Sequence, residues 1–115
     1  MAFVARYFEP SEIEGLSEAL VRMLDTAREI SGVPIIITSG KRDKASNTAA
    51  GGVEGSLHCQ GLAVDIRAPK TPLEALKLAF SLGAAGFKQI GLYDAHFHVE
   101  LDPKDTYAIW TGKCH

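Results

Sequence analysis

One acidic residue constrains this chain more than any other. Asp65 sits inside the run Leu62-Ala63-Val64-Asp65-Ile66, which is otherwise apolar. A carboxylate buried without a partner is costly, so it needs a cation, a metal or several N–H donors. Read as a strand from Leu62 to Ala68, the run divides into two faces. Leu62, Val64 and Ile66 point one way, and Ala63 and Asp65 point the other. A chain with this segment is therefore expected to build a sheet with one apolar face and one face that carries chemistry. The rest of the chain must supply the partner of Asp65.

The candidates lie on either side of it in sequence. His96 to Leu101 also alternates: Phe97 and Val99 face one side, and His96, His98 and Glu100 the other. His58 precedes Asp65 by seven residues, with Gly61 between them to let the chain bend. Imidazole and carboxylate are zinc ligands, and three protein ligands with an open fourth position make a catalytic site. His96 and His98 share a face with Cα atoms about 7 Å apart. Both can ligate, or one can ligate while the other meets substrate. Each feature alone has a plainer explanation: a satisfied strand histidine, or a carboxylate accepting from backbone N–H groups. Their combination beside a polar, glycine-containing segment points to a metal.

Periodicity predicts the remaining elements. Ser11-Glu12-Ile13-Glu14 fits a capping box. Ile13, Leu16, Leu20, Met23, Leu24, Ala27 and Ile30 then form a helical stripe that Gly32-Val33-Pro34 ends. Gly15 weakens the first turn, which leaves Ser17 as the alternative start. Pro34 to Thr38 is a β-branched run that predicts a central strand. Residues 40–57 read as a long loop, a length associated with function or disorder. Thr71-Pro72-Leu73-Glu74 is a second capping box with Pro at N1. It opens a helix with Leu73, Leu76, Ala79, Phe80 and Leu82 as its apolar residues, closed by Gly83 and Gly86. Lys88–Tyr93 and His96–Leu101 predict two short strands around Asp94-Ala95, and the tail adds a strand or edge packing through Ile109 and Trp110. The order helix, strand, loop, strand, helix, strand, strand predicts an α+β fold: two helices on a small, mainly antiparallel sheet.

Bulk properties limit the partners. The 115 residues suffice for one domain, 1–115, with one modest core. A formal net charge of −2 supplies no positive field for nucleic acid, so none is expected as a partner. No apolar run nears the roughly 18 residues that span a membrane, so no membrane partner is expected either. The start, "MAFVARYFEPSE", lacks the apolar h-region of a secretory signal. Cys59 and Cys114 read as free thiols, with a bridge or a metal role for Cys59 as alternatives.

The stretches "SGKRDKASNTAAGGVEGSLHCQGLAVDI" and "GLYDAHFHVEL" resemble the zinc D-Ala-D-Ala metallopeptidase family, and within it the small bacterial and phage peptidases that act on peptidoglycan. The matching residues are Ser39-Gly40, Arg42, Asn47, Gly51-Gly52, the string from Ser56 through His58, Gly61 and Ala63 to Asp65-Ile66, then Gly91, Tyr93 and His98. They span roughly residues 16 to 101. The hedgehog signalling domain and a wider clan of zinc peptidases share this layout, so the resemblance implies a hedgehog- or DD-peptidase-like fold. It implies His58, Asp65 and His98 as zinc ligands and Arg42 as the group that binds substrate and stabilises the oxyanion; Ser56 either hydrogen-bonds near the site, as a substrate-binding residue, or caps the loop. Many relatives place a carboxylate three residues before the last ligand; here that position is Ala95. Asp94, His96 and Glu100 compete for the role of base, with Asp94 and His96 favoured and Glu100 orienting a ligand or pairing with a cation.

The activity so implied is zinc-dependent hydrolysis of peptidoglycan stem or cross-link peptides, as a D-Ala-D-Ala carboxypeptidase or an endopeptidase of the phage lysin kind. The partners are then peptidoglycan peptides, and a monomer is expected. Synthesis in the cytoplasm and action on the wall after release or delivery is the matching expectation. The alternative is a zinc-containing binding module of the same fold without catalysis.

Overall fold

The computed structural model describes residues 4–39, 61–101 and 106–112. Helix α1, Glu18–Ser31, starts where Ser17 caps it: the Ser17 side chain accepts from the Leu20 N–H at 3.1 Å. It ends at Gly32, whose φ of 68° takes the chain into the left-handed region and whose N–H bonds the Arg28 carbonyl. Leu20, Val21, Leu24 and Ala27 are buried along one side. The earlier start at Ser11 does not occur. Residues 10–15 form turns instead, with Glu9 N–H on the Glu12 carboxylate, and Gly15 at φ 80° leaves the helical path. Ile13 and Leu16 still pack against the core from this turn segment.

The sheet is built from β1 (Ile37–Ser39), β2 (Ala63–Arg67), β3 (Gln89–Tyr93), β4 (His96–Glu100) and β5 (Ala108–Gly112). Their order is β1-β2-β4-β3-β5. The first three pairings are antiparallel and β5 runs parallel to β3, so the sheet is mixed. The run predicted as a central strand supplies only the short edge strand β1. Burial explains the difference. Val33 and Ile35 are buried, but Ile36 is 43% exposed, as on a strand with a neighbour on one side only.

Helix α2, Pro72–Ala84, lies between β2 and β3 in sequence. Thr71 caps it: the Thr71 hydroxyl accepts from Glu74 N–H at 3.2 Å and donates to the Glu74 carboxylate at 3.0 Å, a side-chain bond where a full capping box would use the Thr71 backbone N–H. The buried side, however, is Leu78, Ser81 and Leu82, whereas Leu73, Leu76 and Phe80 are 60%, 69% and 71% exposed. The expected apolar stripe is thus rotated from the real one.

Both helices pack on each other and on one face of the sheet. Leu20, Leu24 and Ala27 of α1 and Leu78 and Leu82 of α2 join Val64, Ile66, Ile90, Phe97 and Val99 in one core. Each such aliphatic side chain contributes about 1.5–3 kcal/mol when fully buried. That sum fixes the register of β2 against β4, because a slip of one residue would move Val64, Ile66, Phe97 and Val99 out of the core. Gly61 ties the layers together. Its carbonyl accepts from Ser17 N–H at 2.9 Å, its φ is 72°, and a Cβ there would lie 2.2 Å from the Gly15 carbonyl oxygen. Only glycine fits that crossing of helix entry and strand entry. No helix among the described residues is long and apolar enough to cross a membrane.

Candidate active site

The helices cover one face of the sheet, and the same register puts the polar residues together on the other. Ala63 pairs with Glu100, Asp65 with His98, and Arg67 with His96. Across β4, Gln89 pairs with Glu100 and Gly91 with His98, while Gly91 pairs with Trp110 of β5. The middle row of this face therefore reads Asp65, His98, Gly91, Trp110.

His98 is the centre of that row. Its Nδ1 is 2.8 Å from Asp65 Oδ1, and its Nε2 is 2.7 Å from Glu100 Oε1. The three side chains are mostly buried, at 17% exposure for His98, 19% for Asp65 and 21% for Glu100. A neutral imidazole carries one N–H and can satisfy one of two carboxylates. Burial disfavours the charged ring, but the hydrogen bonds it donates to Asp65 and Glu100, and then their charges, outweigh it and raise the His98 pKa. The site thus collects two acidic groups around one ring and favours a cation among them.

The donor set suits a metal. Asp65 and the Nδ1 side of His98 meet directly, a carboxylate and an imidazole on adjacent strands, and these are donor types that zinc takes. Glu100 meets the opposite ring nitrogen, so it stands as the group that fixes the ring rather than a third donor on the same side. Consistent with that, no group of three His, Cys, Asp or Glu among the described residues could hold a metal ion. His58, expected as the third ligand, lies outside the described residues, as do Arg42, Ser56 and both cysteines.

The remaining candidates lie at one end of the face. His96 is one row from His98, and its ring stacks on Tyr93 with centroids 4.7 Å apart and planes 15° from parallel. Asp94 sits in the two-residue connection between β3 and β4, on the exposed tip of that hairpin. Glu100, expected to orient a ligand or pair with a cation, contacts Nε2 of His98. One feature escaped the sequence reading. Trp110, expected in a short tail strand or in edge packing, lies on the strand β5 and also reaches the site: its Nε1 donates to the Tyr93 hydroxyl at 2.9 Å, and its ring centroid is 6.0 Å from that of His98. The signal for this was the pair Gly91 and Gly112, where the sheet leaves room for a large neighbour. A Cβ on Gly91 would lie 2.6 Å from Trp110 Nε1, and one on Gly112 would lie 2.7 Å from the Tyr93 ring.

Comparisons with known proteins identify the family and the fold. The profile of the family described as Peptidase M15 matches residues 7–102. Comparison with curated proteins finds no match. Among solved structures, the L-Ala D-Glu endopeptidase ChiX of Serratia marcescens is similar at a TM-score of 0.59 and 22% identity, covering 90% of this chain and 91% of that one. That likeness is one of fold. The family profile takes in β2, which carries Asp65, and β4, which carries His98 and Glu100. The chain belongs to the Peptidase M15 family.

Proposed function

We propose that this protein is a zinc-dependent peptidase that hydrolyses peptide bonds in the stem or cross-link peptides of peptidoglycan. The observation that carries the reading is the Asp65–His98 pair, 2.8 Å apart across β2 and β4 on the sheet face opposite the helices of a Peptidase M15 chain. The substrate class is supported by the fold shared with a structure titled as an L-Ala D-Glu endopeptidase. Asp65 and His98, with His58, hold the metal. Zinc bound there supplies Lewis acidity, which makes water a nucleophile near neutral pH and polarises the scissile carbonyl.

The chain's own residues supply the rest. Glu100 holds Nε2 of His98 and so keeps the ring turned toward Asp65. His96 takes a proton from the attacking water and returns it to the leaving amine. Its place on the same face as His98, one register row away, supports that role. Asp94, at the hairpin tip, is the second group proposed to serve that proton transfer. Arg42 binds a substrate carboxylate or the developing oxyanion in this reading, and Ser56 is a second proposed substrate-binding residue; both lie outside the described residues.

The position three before His98 is Ala95, without a carboxylate. This favours a second reading, a zinc module of the same fold that binds peptide without cleaving it. Two variants separate the readings. In a peptidase, His96→Gln and Asp94→Asn, made singly, lower turnover of muropeptides while zinc stays at one per chain. Wild-type protein with full zinc, firm peptide binding and no cleavage would establish the binding module instead.

A further inference from the structure

We infer that the Tyr93 hydroxyl is a hydrogen-bond donor to the substrate at the scissile group, aimed by Trp110. This rests on the peptidase reading above and adds a catalytic residue to it. The argument starts from the direction of one hydrogen bond. An indole N–H can only donate, so the 2.9 Å contact between Trp110 Nε1 and the Tyr93 oxygen fixes that oxygen as acceptor. The phenol's own proton is then left to donate elsewhere, and among the described residues nothing accepts it. Accepting a hydrogen bond also polarises a hydroxyl and strengthens it as a donor.

The ring carrying this hydroxyl is held from several sides. His96 stacks on it at 4.7 Å. Gly112 lies against its edge, where any Cβ would be 2.7 Å from Cε1. Trp110 reaches the hydroxyl by lying over Gly91, the register partner of His98. The indole N–H, and the phenol oxygen it holds, are thereby placed beside the row that contains Asp65 and His98. A fixed donor next to a cation-favouring centre is positioned to stabilise negative charge that develops on a carbonyl oxygen, without reorganising during the reaction. Trp110 belongs to β5, outside the residues matched by the family profile.

The test uses zinc-loaded wild-type protein, Tyr93→Phe, Trp110→Phe and His96→Gln. It reads muropeptide turnover, zinc content, and calorimetric binding of a phosphinate pseudodipeptide, a tetrahedral mimic of the reacting peptide. Tyr93→Phe keeps the ring and its stack on His96. It is expected to keep zinc and KM, to lower kcat about 100-fold and to weaken phosphinate binding. Trp110→Phe keeps the phenol but loses its aim, with an expected loss of about fivefold in kcat, one net hydrogen bond. His96→Gln should lose turnover and keep phosphinate binding, which separates the proton-transfer residue from the donor. Tyr93→Phe with wild-type kcat and phosphinate affinity overturns the inference alone. Wild-type protein that neither cleaves muropeptides nor binds phosphinate overturns it together with the peptidase reading.

Discussion

His98 holds two carboxylates on one ring, and this has measurable consequences. Its pKa is raised in the folded state, against about 6.5 when unfolded. In metal-free protein the stability it adds is therefore fully present below pH about 6.5 and lost as pH rises through the raised value. Denaturation of metal-free protein across pH 5–9 should show this decline, and His98→Gln should flatten it; an unchanged slope in the variant would contradict the assignment. Glu100 contacts the nitrogen opposite Asp65, so Glu100→Gln should weaken zinc binding by about 10- to 100-fold, measured by competition with a chelating dye. Loss of Asp65 or His98 should abolish stoichiometric zinc. At this scale much was legible. The alternation around Asp65 and His98 fixed their faces, because period two admits one assignment once Val64, Ile66, Phe97 and Val99 are taken as core. Glu100 was on the right face, but its partner was not legible, since rotamers and the Asp65–His98 register are products of packing.

Elements were legible where one signal dominated and illegible where two competed. Thr71 was recognisable as a cap, and Ser17 only as the alternative to Ser11; Glu74 N–H bonds the Thr71 hydroxyl as expected. Thr71→Ala should cost about 1 kcal/mol in urea denaturation. The phase of α2 was not legible, because Leu73, Leu76 and Phe80 and Leu78 and Leu82 are two apolar sets on one helix. Only contact with α1 and the sheet decides between them. The edge position of β1 and the parallel pairing of β5 were hidden for a related reason, since strand neighbours are set by contacts far apart in sequence. The packing of β5 on β3 yields a further expectation. Gly91→Ala forces Trp110 off the sheet and should destabilise the protein by about 1–3 kcal/mol. Near-UV circular dichroism, dominated by the single Trp, should change with it. An unchanged spectrum and stability would mean that Trp110 does not lie over Gly91.

The whole molecule is a division of labour between two faces of one sheet. Two helices bury one face and hold the strands in register, and that register delivers Asp65, His98 and Glu100 to the other face. Metal binding at the face opposite the helices should report on the fold as a whole. Zinc at about 100 times its dissociation constant should stabilise the chain by about 2.7 kcal/mol, read as a rise in thermal midpoint that chelation reverses. His98→Ala should show no such rise. The α+β class was legible from element order, while the mixed sheet and the aromatic wall of Tyr93 and Trp110 required the tertiary structure. The most direct measurement is mass spectrometry of purified muropeptides incubated with protein of verified zinc content. Stem or cross-link peptides should be cut at one defined bond, and His98→Ala and chelator-treated protein should yield no product. Intact muropeptides after incubation with fully zinc-loaded wild-type protein would contradict the assignment of this chain as a peptidoglycan peptidase.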